Sequence, residues 1–364
     1  MDPSTLVPEW IRTLAPYSPG KPIEEVEREL GIRDSIKLAS NENPLGPSPK
    51  ALAAIAAALG DLNRYPDGSA FYLKRRLAAR LGVAVEELVV GNGSNEIIEL
   101  VVRTFLRPGD EAVMADQAFV VYRLVVQAAG GTARVVPLRD FTHDLDAIAA
   151  AITPRTRLVF LANPNNPTGT IFRRAAWEAF LGRVPGHVVV VADDAYAEYV
   201  DDPEYPDTIR SRGDGSVAVV TLRTFSKLYG LAGLRIGYGV GSAAVMDAIG
   251  RVRQPFNVNS LALVGALAAL DDDEHVRRTL AANREGMAYL VAAFRRLGLE
   301  SVPSAANFVL VRVAGAARAY QALLRRGVIV RPMDVYGFPE HLRVTVGTPA
   351  ENQRFVDALR AVLG

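Results

Sequence analysis

One lysine, Lys227, stands in the run T-F-S-K-L-Y-G-L-A-G-L-R-I-G (residues 224–237), among small, hydroxyl and apolar residues, with Arg235 eight positions on. The flanks at 217–222 and 236–240 are rich in β-branched residues and glycine and read as strands. An amine held at a strand end amid apolar neighbours is disfavoured in its charged form. Its pKa falls, and it becomes a nucleophile toward carbonyl groups. Taken alone, such a lysine more often snorkels out of a loop. The rest of the chain shifts that balance.

Four polar insertions follow apolar runs. V-V-G-N-G-S-N-E (89–96) reads as strand, glycine turn and helix. Free N–H groups at a helix start, with the Ser94 hydroxyl, make an anion site suited to phosphate. It is no dinucleotide fingerprint, because Glu96 stands where that motif needs a glycine. A-D-Q-A-F-V-V-Y (115–122) sets Phe119 where an aromatic face can stack on a planar ligand, although a core role is commoner for phenylalanine. A-N-P-N-N-P-T-G (162–169) carries two prolines and three asparagines directly after a strand, more than an ordinary turn needs; Asn166 can donate an amide hydrogen bond. V-V-V-V-A-D-D-A-Y-A-E-Y (188–199) ends a valine strand on two aspartates, costly to bury without partners. A carboxylate there can pair with a protonated ring nitrogen; otherwise one of the two caps the next helix.

Composition narrows the class. A chain of 364 residues is long enough for two domains, and 49% hydrophobic with 22% charged residues implies a large core. A net charge of +1 argues against a dedicated nucleic-acid binder. With no cysteine there is no disulfide framework and no thiolate metal site. The histidines (His143, His187, His275, His341) lack metal-ligand spacing, so no metal is expected. The opening M-D-P-S-T-L-V-P-E-W does not read as a secretory signal, and no apolar run approaches the ~20 residues of a membrane span. A cytoplasmic protein without membrane contact is the expectation.

The positioning elements follow from pattern. Residues 1–45 form an irregular arm with a helical patch at 23–30, then the crossing loop L-A-S-N-E-N-P-L-G-P (38–47). Ser48-Pro49 starts a helix, N-R-Y-P-D-G (63–68) is a turn carrying Tyr65, and a second helix covers 70–81. Strands are predicted at 88–90, 111–115, 133–137, 157–162, 187–192 and 217–222, with helices between them at 96–105, 144–151 and 173–181. This alternation predicts an α/β fold with a mostly parallel, doubly covered sheet, whose ligands sit at the strand carboxyl ends. Helices at 242–253, 260–270 and 274–297 follow, the last with the acidic start D-D-D-E that a helix macrodipole favours. The tail 306–363 reads β-α-β-β-α, with strands at 308–313, 328–332 and 341–346 and helices at 316–326 and 350–363.

Together these parts resemble the fold-type I aminotransferases that use pyridoxal 5′-phosphate (PLP), and among them the histidinol-phosphate aminotransferases. The resemblance runs from N-E-N-P-L-G to L-R-V-T-V-G. Its specific part is the joint occurrence of N-P-N-N-P-T-G, D-D-A-Y, and S-K followed by an arginine eight residues on. It implies a mostly parallel seven-stranded sheet in a large PLP-binding domain (46–255), connecting helices (256–300), and a smaller α+β domain (301–364) joined by the arm (1–45).

Residue by residue, Lys227 matches the lysine that attaches the cofactor and carries a proton to and from Cα. Asp193 matches the aspartate that keeps the pyridine nitrogen protonated, which makes the ring an electron sink. Tyr196 and Asn166 match the groups on the phenolic oxygen, and Phe119 the stacking aromatic, where many relatives have tyrosine. Gly93, Ser94 and Asn95 match the phosphate cup, with Thr224, Ser226 and Arg235; position 95 is often aspartate in the family. Tyr65 matches a tyrosine that reaches the partner subunit's cofactor, which implies a homodimer with shared sites. Arg343 matches the arginine that takes the substrate α-carboxylate in a planar pair. Arg331 matches a second arginine facing the distal anion, and Tyr17 an arm residue closing over the substrate.

The implied reaction moves an amino group between L-histidinol phosphate and 2-oxoglutarate, giving imidazole-acetol phosphate and L-glutamate in two half-reactions at one site. Similar sequences also serve aromatic amino-acid aminotransferases and a decarboxylase of a phosphorylated amino acid. A non-enzymatic PLP-binding regulator is disfavoured, since the arm shows no helix-turn-helix pattern and no basic excess.

Overall fold

The computed structural model describes residues 3–17, 20–212 and 217–364. Residues 1, 2, 18 and 19, part of the expected arm, lie outside the described residues. The apolar runs form strands: β1 (Ile36–Lys37), β2 (Leu88–Gly91), β3 (Glu111–Ala115), β4 (Thr132–Val136), β5 (Thr156–Ala162), β6 (Val189–Asp193), β7 (Ala218–Thr224) and β8 (Gly237–Val240). Seven of them make one sheet in the order β2-β8-β7-β6-β5-β3-β4. β3 to β7 pair in parallel, and β8 runs antiparallel to both its neighbours.

The period-two alternation of strand side chains explains why both faces are apolar. In β5, Leu158 and Phe160 join Ile97, Val101 and Tyr122 on one face. Val159 and Leu161 join Trp177 and Phe180 on the other. The parallel register also sets Ala162 beside Asp193, and Asp193 beside Leu222. The loops that follow β5, β6 and β7 therefore leave one edge of the sheet together.

The chain's last part builds a second sheet from β9 (Ser301–Val302), β10 (Phe308–Arg312), β12 (Arg331–Met333) and β13 (Phe338–Thr345), in the order β12-β13-β10-β9. Between them in sequence, β11 (Val328–Ile329) pairs in parallel with β1 of the arm. The single strand expected at 328–332 thus divides at Val330 into pieces that serve different sheets. The strand expected at 341–346 starts earlier, at Phe338.

Helix ends follow their sequence signals. Ser48 accepts the N–H of Ala51, with Pro49 opening the helix Pro49–Ala58. Asp272 caps Asp273–Arg296, with Asp273 and Glu274 in its first turn. Thr348 and Glu351 form a reciprocal capping box on Pro349–Leu363. Among the described residues no helix is long and apolar enough to cross a membrane.

Helix Asp273–Arg296 packs Leu290 and Phe294 onto Val309, Val311, Leu342 and Val344. Phe294 is wholly buried, edge-on to Phe355 at 6.1 Å between ring centroids. Phe294→Ala is expected to cost about 3–5 kcal/mol of stability through lost transfer energy and the cavity it leaves. Urea unfolding followed by circular dichroism checks this, and a loss below about 1 kcal/mol would contradict the packing.

Candidate active site

The residues converge on the carboxyl edge of the large sheet. A cavity of ≈ 270 Å³ opens there, between the sheet edge, the arm and the second sheet. Tyr17, Ser94, Asn95, Phe119, Asn166, Asp193, Tyr196, Thr224, Ser226, Lys227, Arg235, Arg331 and Arg343 all line it. Two sequence candidates do not. Gly93 lies just behind, and Tyr65 is 83% exposed outside this cavity, stacked on Phe256 at 4.8 Å.

Lys227 follows β7 by three residues, and its Nζ donates to the Ser40 carbonyl at 3.1 Å. Burial is the main force pulling its pKa down to about 7. The nearby charges of Arg343 and Arg235 add to this, and Glu42 and Asp193 oppose it. Arg343 thus acts on the amine more strongly than Arg235 does.

Asp193 ends β6 and is buried, its Oδ2 accepting the Tyr122 hydroxyl at 2.5 Å and its Oδ1 the Ala195 N–H at 3.3 Å. Burial raises its pKa, while the two hydrogen bonds and Lys227 pull it back. The neighbouring Asp194 points to the opposite face of the sheet, as strand alternation requires. It accepts from Thr208 at 2.6 Å and pairs with Arg223 at 3.3 Å, and Arg223 also reaches Glu198. Neither aspartate caps a helix by its side chain; Tyr196 holds the cap position of the next short helix, Ala197–Tyr199. That corrects the structural alternative raised for this pair.

The asparagines after β5 divide the labour. Asn163 exchanges hydrogen bonds with the Phe172 backbone, and Asn165 donates to Gln117 O and to Thr168. Pinned on both sides, the loop turns Asn166 into the cavity, where its Oδ1 accepts Arg343 Nη1 at 2.5 Å.

Arg343 sits in β13, in the register that buries Leu342 and Val344 on the other face. Its guanidinium lies over the Phe308 ring at 5.2 Å and donates Nη2 to Ala39 O at 2.6 Å. Its buried Nε has no hydrogen-bond partner, and Nη1 and Nη2 each keep a second N–H beyond the one engaged, so the fork retains donors for a ligand anion.

The helix expected from residue 96 starts at Gly93. Gly93 has φ +77, and a Cβ there would come within 2.5 Å of Arg235 Nη2. A Cβ on Gly237 would meet the Ser94 nitrogen at 2.6 Å. Only glycine allows this approach of strand, helix start and arginine. No side chain caps the helix, so its first-turn N–H groups stay open toward the cavity. Arg235 Nη1 also reaches Ser226 Oγ at 3.4 Å. Uncapped N–H groups, two hydroxyls and a guanidinium are the donor set a phosphate monoester requires, so this site fits a phosphate-bearing cofactor.

Three contributors carried no role in the sequence reading. Asn41 donates to Tyr196 Oη at 2.8 Å. Tyr122 holds Asp193. Tyr336, buried in a short helix after β12, lines the cavity beside Arg331 and Arg343. Asn41 and Tyr122 lie inside stretches already singled out, but their partners are remote in sequence.

Fold and cavity define a class of enzyme: one that sets a buried lysine and a buried carboxylate at the strand ends of a parallel sheet, in a cavity also lined by arginines. The chain belongs to the aminotransferase class I and II family, whose pattern matches residues 33–359. It is 52% identical over 366 residues to the histidinol-phosphate aminotransferase of Moorella thermoacetica, covering 100% of this chain and 95% of that one. It is 53% identical to histidinol-phosphate aminotransferase 2 of Pseudomonas fluorescens, covering 97% and 96%. Among solved structures, that of histidinol-phosphate aminotransferase from Sinorhizobium meliloti, in complex with PLP, superposes with a TM-score of 0.91 at 29% identity, covering 98% and 97%.

The lowered pKa gives Lys227 a pH signature. Its amine is neutral above about 7 and charged below. Burial of this lysine therefore costs most stability below pH 7, and the cost fades as pH rises toward the ordinary 10.5. In cofactor-free protein, trapping of a small aldehyde at residue 227 by borohydride should climb with a midpoint near 7. Arg343→Gln should move that midpoint up, because a repelling cation is gone. A wild-type midpoint near 10 would contradict this electrostatic account.

Proposed function

We infer that the chain is a PLP-dependent aminotransferase that interconverts L-histidinol phosphate plus 2-oxoglutarate and imidazole-acetol phosphate plus L-glutamate. The observation that carries this reading is the meeting of Lys227, Asp193 and Arg343 in one cavity with a phosphate-type cradle. PLP, once bound, supplies a sink for the electron pair left when the substrate's Cα loses its proton.

The chain's own residues do the rest. Gly93, Ser94, Asn95, Thr224, Ser226 and Arg235 would hold the cofactor phosphate, and Phe119 would cover its ring. Asp193 would keep the ring nitrogen protonated, and Tyr196 and Asn166 would hold the phenolic oxygen. Lys227 would hold the cofactor aldehyde and would carry the proton at the substrate's Cα, a task suited to an amine whose pKa lies near 7. Arg343, held through Nη1 on Asn166 and Nη2 on the Ala39 carbonyl, orients the α-carboxylate of glutamate. Arg331 and Tyr17 take the distal phosphate or carboxylate from the arm side of the cavity. In this reading 46–255 holds the cofactor, while the arm 1–45 and the unit 301–364, joined through 256–300, close on the substrate. A cytoplasmic location is part of the proposal, supported by kinship with small-molecule biosynthetic enzymes.

The working form is a homodimer with shared sites. Exposed aromatic pairs, Tyr65 stacked on Phe256 and Phe71 edge-on to Tyr72, support association, since contiguous exposed apolar surface marks interaction sites. In this reading the exposed Tyr65 would reach the partner subunit's cofactor phosphate.

Transamination rates for histidinol phosphate, phenylalanine, tyrosine and aspartate with 2-oxoglutarate test the substrate. Histidinol phosphate should be fastest, and a preference for phenylalanine would move the enzyme to the aromatic branch. Arg331→Ala should lower kcat/KM for the phosphate ester about tenfold or more beyond its effect on glutamate, the scale of one charge-assisted pair. Equal losses on both would contradict its role. For the dimer, mixing Lys227→Ala with Tyr65→Ala subunits should restore activity above that of either parent, because each hybrid holds one intact site. No recovery after verified subunit exchange would mean that Tyr65 does not act across the interface.

A further inference from the structure

Asp193 is served unequally on its two oxygens. Oδ2 takes the Tyr122 hydroxyl at 2.5 Å, while Oδ1 has only the 3.3 Å contact from Ala195 N–H. Tyr122 is 0% exposed, in the first turn of helix Val121–Ala128. Its ring is fixed from two sides, stacked on Phe160 of β5 at 4.8 Å and 9°, and edge-on to Phe119 at 5.6 Å and 86°. Burial, and then the Asp193 charge, push its phenol well above the ordinary pKa. A phenol that stays protonated can only donate to a carboxylate. The spacing of Phe119 and Tyr122 sends one ring to the cavity wall and the other hydroxyl behind the acid.

We propose that Tyr122 is a positioning residue that keeps Asp193 ionised inside the protein and leaves its Oδ1 as the oxygen open to a cationic ring nitrogen. The inference rests on the cofactor reading above. Burial by itself favours the neutral acid, and a neutral acid cannot sustain a protonated ring nitrogen. A donor to the charged form opposes that drift. The other titratable groups around Asp193 are Lys227 from the β7–β8 loop, Tyr196 from the loop after β6, and Asp194. Lys227 favours the carboxylate by charge, without a hydrogen bond to it. Asp194 opposes it, but is engaged by Thr208 and Arg223 on the other face. Among the described side chains, Tyr122 is the one seen to hydrogen-bond the acid. Through its edge contact it also steadies Phe119, so one residue sets two walls of the ring site.

Tyr122→Phe keeps both ring contacts and removes only the donor. Two measurements read the result, one without cofactor and one with it. In cofactor-free protein carrying 13C-carboxyl aspartate, the resonance missing from Asp193→Asn reports this acid. Its titration midpoint should rise by about one pH unit or more in Tyr122→Phe. In loaded protein, equilibrium dialysis should show PLP held about tenfold more weakly, a shift that equals about one pKa unit. The deficit should deepen as pH falls, because Asp193 then takes its proton sooner. An unchanged carboxyl midpoint together with an unchanged pH profile of PLP retention would overturn the inference. If wild-type protein fails to bind PLP at all, the function reading fails instead, and the cofactor-free titration still decides the role of Tyr122.

Discussion

Desolvation at the carboxyl edge of one parallel sheet governs this molecule. Water is largely excluded from Lys227, Asp193 and Arg343, and each responds to burial in its own direction. The amine loses affinity for its proton, the acid gains affinity, and the guanidinium stays a cation while its pKa drops. No single ion pair resolves these demands. Asp193 is held by Tyr122, Arg343 by Asn166 and the Ala39 carbonyl, and Lys227 by the Ser40 carbonyl. Each charge therefore keeps a hydrogen-bond partner while part of its capacity faces the cavity. A separate set of buried charges, Asp194 with Arg223 and Glu198, pairs on the far face of the sheet, with Asp194 Oδ1 and Arg223 Nε left without a hydrogen-bond partner.

That arrangement depends on register more than on composition. The parallel pairing fixes Ala162, Asp193 and Leu222 side by side. A slip of one residue in β6 would exchange the environments of Asp193 and Asp194. One would meet Arg223 and the other the cavity, and both would be in the wrong place. The core on each side of the sheet prevents this, since Val191 belongs to one apolar layer and Val190 to the other. Packing of valines two layers from the chemistry thus decides which carboxylate faces the ligand.

Much of the large sheet was legible because buried strands leave continuous apolar runs, and each predicted strand falls within a residue or two of the observed one. The helix Gly93–Phe105 was read three residues short, because glycine and serine are poor helix formers and the cap is not a side chain. The division at Val330 was hidden for a different reason: V-I-V-R-P is one apolar run in sequence, and only the arm's β1 shows that it serves two sheets. The cavity's supporting bonds were the least visible part. Tyr122 and Asp193 are 71 residues apart, and Asn41 and Tyr196 are 155 apart. No periodicity encodes such pairs. Motifs marked the groups that face the ligand and left out those that hold them from behind.

The arm shows why the site needs three distant pieces of chain. β1 adds to β11, and Leu38 bridges Ile329 and Thr345 through its backbone. This fixes the next three residues over the cavity. Ala39 O receives Arg343, Ser40 O receives Lys227, and Asn41 reaches Tyr196 while Thr345 and Asn307 hold it. The arm therefore ties the arginine of the second sheet to the lysine and tyrosine of the first through consecutive residues. Two of these links span 304 positions of sequence, so they exist only where the two sheets meet. Neither unit alone can order Arg343, Lys227 and Tyr196 around one space. The electrostatics that lower the lysine's pKa, with Arg343 as their largest charge contribution, arise only when that junction closes.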